Sequence, residues 1–386
     1  GDGSNGESDM RACFISPGAA ALFLPPSGGT MGATGGAETQ FYLLARELAR
    51  RGALEIHAVV NGPWNRRPQQ RDGVWVHTVP VAPGLWPKLQ LQRLLLRIDA
   101  DVYLQRGIGS LTKEVAFFCR WRRRRFVYWI ANLIDVDPSV PTLGLNRNRW
   151  FVWGMRRADR IIAQTRQQAE ALRRHHGRDS VVIPNGFPLR PPPSPESAAR
   201  ASRDCVLWVG RFVAFKRPEL FVEMARRMSE TKFVMIAPVS EGASFSHYVK
   251  HRDALKKTPN LRHIGGVPLS ETDGWFDRAA LFVNTSEFEG FPNTFIQAMM
   301  AGVPLASLKY DPDGIIAEQG LGVAPPPGND LNAFCNQVAA ILRDRDRRAR
   351  CGATARAYAE QYHDLAKNSA LLEQVLVELA SPRTAG

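Results

Sequence analysis

Apolar and polar positions along the chain alternate with two periods, one typical of strands and one typical of helices. In the first half, short apolar runs bounded by loop residues predict strands at 11–16, 56–60, 74–79, 102–104, 126–130 and 160–163. Helix patterns lie between several of them, most clearly at 39–51, where Phe41, Leu44 and Leu48 share one face. Strands alternating with helices predict a parallel sheet covered on both faces.

This alternation stops at a proline-rich stretch and then begins again. The stretch contains Pro191-Pro192-Pro193-Ser194-Pro195, which cannot continue a helix or a central strand and predicts a linker. Strand patterns return at 206–209, 233–236, 261–264 and 281–284, and a helical pattern covers 354–380. We therefore predict an α/β protein of two Rossmann-like, doubly wound domains that face a central cleft at the carboxyl ends of their sheets.

The predicted boundaries follow from this rhythm and from the chain ends. An N-terminal domain spans 10–185, a linker 186–204 and a C-terminal domain 205–350, and the helices of 351–386 pack toward the first domain. Residues 1–9 lack apolar side chains, which predicts a tag or disordered tail with Met10 as the natural start. The length of 386 residues agrees with two domains.

Composition is that of a soluble globular protein, with 44% hydrophobic and 23% charged residues. No apolar run approaches the roughly 20 residues that a membrane-spanning helix needs, and we find no secretion signal, so we predict a cytoplasmic protein. The five cysteines are scattered and form no Cys-x-x-Cys pair. This pattern favours reduced, buried thiols over a disulfide framework or a metal site.

The formal net charge is +13, and arginine clusters recur in the first half, such as Arg122 to Arg125. Such a field attracts phosphorylated substrates, anionic membranes or nucleic acid, but no nucleic-acid recognition motif accompanies it. The stretch 85–97 mixes Leu, Trp86 and cations. Two interpretations stay open for it: a helix on the inner face of an anionic membrane, and a buried helix whose cations reach water.

The segment around residue 290 carries the clearest chemistry. A predicted strand is followed by Glu289-Gly290-Phe291-Pro292-Asn293-Thr294 and then by an apolar helix pattern. A glycine turn into a helix directs backbone N–H groups, including those of Asn293 and Thr294, toward one point, which favours a phosphate. Glu289 at this turn can accept hydrogen bonds from sugar hydroxyls. These features predict a site for a sugar diphosphate.

This segment resembles the donor-sugar signature of retaining, nucleotide-sugar-dependent glycosyltransferases with the GT-B fold, glycosyltransferase family four. The family pattern has one Glu before the glycine and a second Glu eight positions later. Glu289 matches the first, and Gln297 stands at the place of the second. The resemblance implies that Glu289 contacts the donor sugar and that position 297 contacts the nucleotide ribose, which Gln297 can do without a charge.

Two further motifs match the same family. In the loop after the strand 206–209, Arg211 and Lys216 occupy the positions of the Arg and Lys that bind the donor diphosphate. Fixed cations there can stabilise the leaving group without a metal. Gly35-Gly36-Ala37-Glu38 opens the helix 39–51, and the resemblance implies that Gly35 and Gly36 border the donor phosphates.

The family's first-domain histidine is missing from this chain. None of the eight histidines follows the expected strand, and Asn132, Asp135 or Asp137 could take a polar role there. Gln105-Arg106-Gly107, after the preceding strand, could also border the cleft. Asp135-Val136-Asp137 fits a metal-binding Asp-x-Asp pattern as well, although the two-domain layout favours the metal-independent fold.

The resulting prediction is a retaining, hexosyl-type glycosyltransferase. We expect Arg211, Lys216, Glu289 and Asp135 in catalysis, and Gly35, Gly36, Gly290, Phe291, Asn293, Thr294 and Gln297 in donor binding. We expect no cofactor or metal, a UDP- or GDP-linked sugar as donor, and a glycan, a lipid-linked molecule or a small molecule as acceptor. The alternative is a catalytically weak sugar-nucleotide or glycan-binding regulatory protein.

Overall fold

The computed structural model describes residues 10–24, 35–65, 67–109, 111–140, 148–191, 203–239 and 242–381. The chain divides into two compact units. The first contains the described chain up to Gly186 together with Leu365–Gly386, and the second contains Phe187–Asp364. The tail predicted at 1–9 and residues 192–202 of the predicted linker lie outside the described residues.

The first unit is built on an eight-stranded sheet with the order β3-β4-β2-β1-β5-β6-β7-β8. Neighbouring strands are parallel except for the antiparallel pair of β3 and β4. The strands are β1 (Arg11–Ile15), β2 (Glu55–Asn61), β3 (Gln69–Arg71), β4 (Val74–Val79), β5 (Val102–Arg106), β6 (Arg125–Trp129), β7 (Arg160–Ala163) and β8 (Val181–Val182). The direction of winding reverses between β1 and β5, and such a switch point is where open parallel sheets bind ligands.

The second unit contains a six-stranded, wholly parallel sheet with the order β11-β10-β9-β12-β13-β14. Its strands are β9 (Cys205–Val209), β10 (Lys232–Ile236), β11 (Leu261–Ile264), β12 (Ala279–Asn284), β13 (Leu305–Ser307) and β14 (Gly322–Val323). Here the winding reverses between β9 and β12. The loops that follow these two strands therefore meet at the switch point of this sheet.

Helices connect and cover both sheets. They are α1 (Ala20–Phe23), α2 (Gly36–Arg51), α3 (Leu85–Ile98), α4 (Thr112–Arg122), α5 (Arg149–Met155), α6 (Arg166–His176), α7 (Pro218–Arg227), α8 (Ala243–Lys256), α9 (Leu269–Arg278), α10 (Asn293–Met300), α11 (Ile315–Glu318), α12 (Leu331–Arg343), α13 (Arg345–Tyr362) and α14 (Leu365–Ala380). Residues up to α6 and α14 belong to the first unit, and α7 to α13 belong to the second.

Each unit has its own apolar core between sheet and helices. In the first, Phe14, Tyr103 and Tyr128 are fully buried on neighbouring strands. In the second, Trp208 and Phe233 pack against Phe221 of α7. Burial on both faces explains why central strands such as β9 and β12 are nearly continuous apolar runs, as expected of a parallel sheet.

The structure confirms the predicted α/β class and its two Rossmann-like domains. The strands at 74–79, 160–163 and 261–264 have the predicted limits, whereas β3, β8, β13 and β14 are too short to give a period-two signal. The helical pattern at 354–380 contains a break: α13 ends at Tyr362, and α14 starts at Leu365 in the other unit. The boundary expected at residue 350 thus falls inside α13.

Candidate active site

The loop after β9 holds two of the predicted cations at the switch point of the second unit. A 3-10 turn, Ala214–Lys216, leads into α7, with Arg217 in the left-handed region and Pro218 in the first turn of the helix. Arg211 is exposed, and its guanidinium has no hydrogen-bond or ion-pair partner among the described residues. The backbone carbonyl of Lys216 accepts a hydrogen bond from Thr285 Oγ1 at 2.7 Å, which ties this loop to the end of β12.

The side chains of Lys216 and Glu289 form an ion pair between the loops that follow β9 and β12. Glu289 is only 8% exposed, and Lys216 is largely covered as well. A buried carboxylate without a cation would be costly, because desolvation penalises the charged form. The structure therefore brings together two of the residues that the sequence predicts in catalysis, as an ion pair with little exposure to solvent.

An aromatic stack and an arginine link the same two loops. The rings of Phe215 and Phe288 are stacked with centroids 5.2 Å apart, and the Glu287 N–H donates to the Phe215 carbonyl at 2.9 Å. Arg217 forms ion pairs with both Glu287 and Glu219. Sequence reasoning missed these contacts, since residues some 70 positions apart along the chain become neighbours only when β9 and β12 pair.

The turn from β12 into α10 presents the predicted backbone groups. Gly290 is buried, and its carbonyl accepts a hydrogen bond from the Tyr310 hydroxyl at 2.7 Å. Helix α10 begins at Asn293 without a side-chain cap, and the Phe295 N–H of its first turn donates to the Pro292 carbonyl at 3.0 Å. Asn293 and Thr294 are partly exposed there, whereas the Phe291 ring points inward onto His363, 4.3 Å away.

Gln297 is buried on α10 and has a partner within its own unit. Its side chain forms a hydrogen bond with the carboxyl group of Asp273 on α9. The Arg190 Nε atom lies 3.5 Å from Oδ2 of the same Asp273 carboxyl group. Burial raises the pKa of Asp273, while Arg190 and the Gln297 hydrogen bond oppose the increase.

In the first unit, the predicted Gly-Gly motif starts α2 beside the switch point of the larger sheet. Gly35 precedes the helix and Gly36 is its first residue. The Glu38 side chain folds back over this turn, so that a Cβ at Gly35 would lie 2.3 Å from Glu38 Oε2 and one at Gly18 would lie 2.8 Å from Oε1. These atoms belong to the end of the flexible Glu38 side chain, so a Cβ at Gly35 or Gly18 would have to displace that carboxylate.

The segment after β6 places its polar residues in local hydrogen bonds. Asp135 is 2% exposed and accepts hydrogen bonds from the Tyr128 hydroxyl at 3.0 Å and the Ala131 N–H at 2.8 Å. Burial raises the pKa of Asp135 to about 6. Asn132 accepts from the Ile134 N–H, and Asp137 from Ser139. Asp135 and Asp137 therefore each have hydrogen-bond partners in their own segment.

Arg106, the last residue of β5, is a basic residue whose guanidinium is buried at the switch point of the first unit. Its Nη2 donates to Asn185 Oδ1 at 2.6 Å, and its guanidinium lies 4.9 Å from the Trp129 ring. Nε and Nη1 are buried and have no hydrogen-bond partner among the described residues. Burial lowers the pKa of Arg106 to about 9, against the opposing charge of Glu38 and then Asp135, so the group remains cationic at neutral pH.

Comparison with known proteins agrees with this geometry. Residues 34–190 match the description Glycosyltransferase Family 4, and residues 193–358 match Glycosyl transferases group 1. The two matches are adjacent and follow the two units of the structure.

The chain belongs to glycosyltransferase family 4.

Curated relatives with similar sequences are D-inositol 3-phosphate glycosyltransferases. The protein from Streptomyces scabiei is 27% identical over 253 residues, which cover 60% of this chain and 56% of the relative. The protein from Kribbella flavida is 23% identical over 252 residues, covering 60% and 59%. The chain thus spans less than two thirds of the length of these relatives.

Solved structures confirm the GT-B fold of this family 4 chain. Sucrose-phosphate synthase from Thermosynechococcus elongatus has a TM-score of 0.78 at 16% identity, with 96% of this chain and 99% of that chain covered. HepE from Anabaena, solved in complex with UDP-glucose, has a TM-score of 0.76 at 16% identity, with 96% and 100% covered. Among the described residues, no helix combines the length and apolar character that crossing a membrane requires.

Two positions of this family 4 chain differ from the family pattern, and the structure shows the surroundings of each. A Glu at position 297 would place a second carboxyl group against Asp273, so the neutral amide of Gln297 suits its neighbour. The polar groups after β6, where a histidine is expected, are used in local hydrogen bonds.

Proposed function

We propose that the chain transfers a hexosyl unit from a nucleotide diphosphate sugar to a hydroxyl acceptor, with retention of anomeric configuration and without a metal. The observation that carries this proposal is the buried Lys216–Glu289 ion pair at the switch point of the second unit, next to the uncapped start of α10. Membership of family 4 and the structure of HepE in complex with UDP-glucose support a nucleotide-sugar donor, for which we propose a UDP- or GDP-linked sugar.

The roles of the residues follow from their positions. Arg211, exposed and without a partner among the described residues, would bind the diphosphate of the donor and stabilise the charge that develops when it leaves. Lys216 would contribute a second cation and hold Glu289, whose remaining acceptor positions would bind sugar hydroxyls. The first-turn N–H groups of α10 would bind phosphate oxygens.

Retention is proposed through attack on the same face as the departing diphosphate. The carboxylates that we expected near the reaction do not favour a covalent intermediate, because Glu289 is paired with Lys216 and Asp135 is buried under hydrogen bonds. The leaving phosphate would then help to deprotonate the acceptor. Nuclear magnetic resonance of the product reports the anomeric configuration, and an inverted product or a trapped glycosyl-enzyme would contradict this step.

Donor binding is tested by thermal shift with UDP, GDP, ADP and their sugar conjugates, in the presence of magnesium or EDTA. Specific binding raises the melting temperature by mass action. We expect a shift with one nucleotide class that EDTA leaves unchanged and that Arg211→Ala removes. Arg226→Ala, at an exposed arginine on α7, is the matched control and should retain the shift. Binding without turnover of any sugar conjugate would favour the regulatory alternative.

We also propose that the acceptor is presented at an anionic membrane surface, as a lipid-linked molecule. Leu85 and Trp86 at the start of α3 are 73% and 62% exposed, and Lys88 and Arg93 lie on the same helix. A largely apolar cavity of about 310 Å³, lined by Pro83, Pro87 and Leu91 among others, adjoins them. Apolar side chains mixed with cations suit an interfacial helix.

Co-sedimentation with vesicles of anionic and of neutral lipid tests this surface. We expect binding to the anionic vesicles only, weakened in Leu85→Ser/Trp86→Ser. Leu371→Ser, at an exposed leucine on α14 in the same unit, is the control and should bind as the unaltered chain does. Equal loss in both variants, or binding independent of lipid charge, would contradict the proposal.

A further inference from the structure

Two histidines and a glutamate form a cluster in the second unit that the proposed transfer reaction does not use. His247 and His251 are four residues apart on α8, so both rings lie on one face of the helix. Glu219 comes from the first turn of the neighbouring helix α7. One ligand atom from each of the three residues lies within 4.8 Å of the others.

The distances within this cluster are close to those of a metal site. His247 Nε2 lies 3.3 Å from Glu219 Oε2, and the two imidazole centroids are 4.7 Å apart. Zinc bonds of about 2.0 to 2.2 Å in a tetrahedral arrangement place neighbouring ligand atoms about 3.4 Å apart. The His247 and Glu219 ligand atoms already have this spacing. A rotation of the His251 side chain that moves its ligand nitrogen by about 1 to 1.5 Å would bring in the third ligand.

The ligand set indicates which metal it would hold. Two neutral imidazoles and one carboxylate suit Zn²⁺, Co²⁺ or Ni²⁺, whereas Mg²⁺ prefers oxygen ligands in a rigid octahedron. All three side chains are partly exposed, so an ion can reach them from solvent. Glu219 also has a supporting partner, because its Oε1 is held by Arg217 while Oε2 faces His247.

Short contacts join the cluster to the two loops that carry Arg211, Lys216 and Glu289. Arg217 bonds Glu219 on one side and Glu287 on the other, and Glu287 belongs to the loop that carries Glu289. The His247 ring packs 5.6 Å from that of Phe212, and Ser244 Oγ on α8 donates to the Phe212 carbonyl at 3.0 Å. We propose that Glu219, His247 and His251 bind a transition-metal ion that cross-links α7 and α8 and fixes the Arg211–Lys216 loop.

Metal binding is measured directly on tag-free protein, independently of any sugar transfer. Isothermal titration with Zn²⁺ should give one site per chain, and Co²⁺ should produce the visible absorption of a tetrahedral complex. Saturating Zn²⁺ should raise the melting temperature by about 5 °C or more, while Mg²⁺ should have no effect.

Variants identify the ligands. His251→Gln and Glu219→Gln should each weaken Zn²⁺ binding by at least the roughly 10- to 100-fold that loss of an outer-shell partner costs. His175→Gln, at a histidine of the first unit that lies 3.5 Å from Asp137, is the matched control and should bind as before. Circular dichroism of the metal-free variants shows that they are folded. The proposal would be overturned if the unaltered chain did not bind Zn²⁺. It would also be overturned if the folded His251→Gln and Glu219→Gln variants bound Zn²⁺ as tightly as the unaltered chain.

Discussion

Replacing Gln297 by Glu restores the residue expected from the family pattern, and the structure predicts that it destabilises this chain. The Gln297 amide is buried on α10 and donates to the Asp273 carboxyl group. In Gln297→Glu, this donor is lost and a second carboxylate faces the first. Burial already raises the pKa of Asp273, so the added charge would raise it further.

The size of the effect follows from the hydrogen bond and from the exposure of Asp273. A hydrogen bond to a charged group contributes about 1.5 to 3 kcal/mol. The Asp273 side chain is 43% exposed, so water screens the repulsion, and Arg190 offsets part of it. The same exposure weakens the hydrogen bond, because water competes for the carboxylate. We therefore expect a total loss of about 1 to 2 kcal/mol at neutral pH, which for a unit of this size lowers the melting temperature by about 3 to 6 °C.

The loss should depend on pH in a defined direction. In the variant, the folded carboxyl pair has raised pKa values and holds a proton that the unfolded chain has released. Stability then falls as pH rises from about 4 through the folded pKa values, and the difference from the unaltered chain shrinks at acidic pH. Thermal and urea unfolding between pH 4 and 8 measure this, and hydrogen exchange of α10 locates the change.

The exchanged pair provides the control. In Gln297→Glu/Asp273→Asn the donor and acceptor trade places, so most of the lost stability should return. Arg190 keeps its ion pair with Asp277 at 2.8 Å in that variant. A single variant as stable as the unaltered chain across the pH range, or a double variant that is less stable than the single one, would refute the reasoning.

Three further predictions concern both units. Because burial raises the pKa of Asp135 from 3.8 to about 6, its contribution to stability should fall by about 3 kcal/mol as pH rises from 4 to above 6; Asp135→Asn should flatten this slope in urea unfolding, and an unchanged slope would show that another group titrates. Gly35→Ala should displace the Glu38 carboxylate from the start of α2 and lower the melting temperature. Gly274→Ala, on α9 with open space around its Cβ and no positive φ, controls for loss of a glycine and should not lower it. Phe288→Ala removes the stack on Phe215 and should raise KM for the donor sugar nucleotide more than it lowers kcat. Steady-state kinetics measure the two constants separately, and Phe288→Tyr should retain the stack and a near-normal KM.

Most of the architecture could be predicted because it rests on local pattern. Short apolar runs bounded by loop residues mark the strands, and β4, β7 and β11 have the limits that the sequence predicts. The short strands β8 and β14, of two residues each, give no such signal. The break between α13 and α14 was missed for a related reason, since both sides have helical periodicity and the change of unit occurs over two residues.

The candidate site likewise combines residues that local motifs predict with contacts that only the fold creates. Arg211, Lys216 and Glu289 lie in local motifs whose residue types and spacing indicate phosphate and sugar chemistry, and the pairing of β9 with β12 places Lys216 against Glu289. Asp135 is buried and accepts hydrogen bonds from the Tyr128 hydroxyl and the Ala131 N–H, and its expected role in catalysis stays a prediction. Polar side chains after a strand have the same sequence signature whether they point into a site or into the core.

The sequence alone determines the alternation of strands and helices, the two domains and the residues of the donor motifs, because periodicity and motif spacing are properties of short segments. Only the tertiary structure decides that Gln297 meets Asp273, that Arg217 links Glu219 to Glu287, and that Glu219 joins two histidines of α8. These contacts join residues that are distant along the chain. Hydrogen bonding and charge act through space, so their partners are fixed by which strands pair and which helices pack.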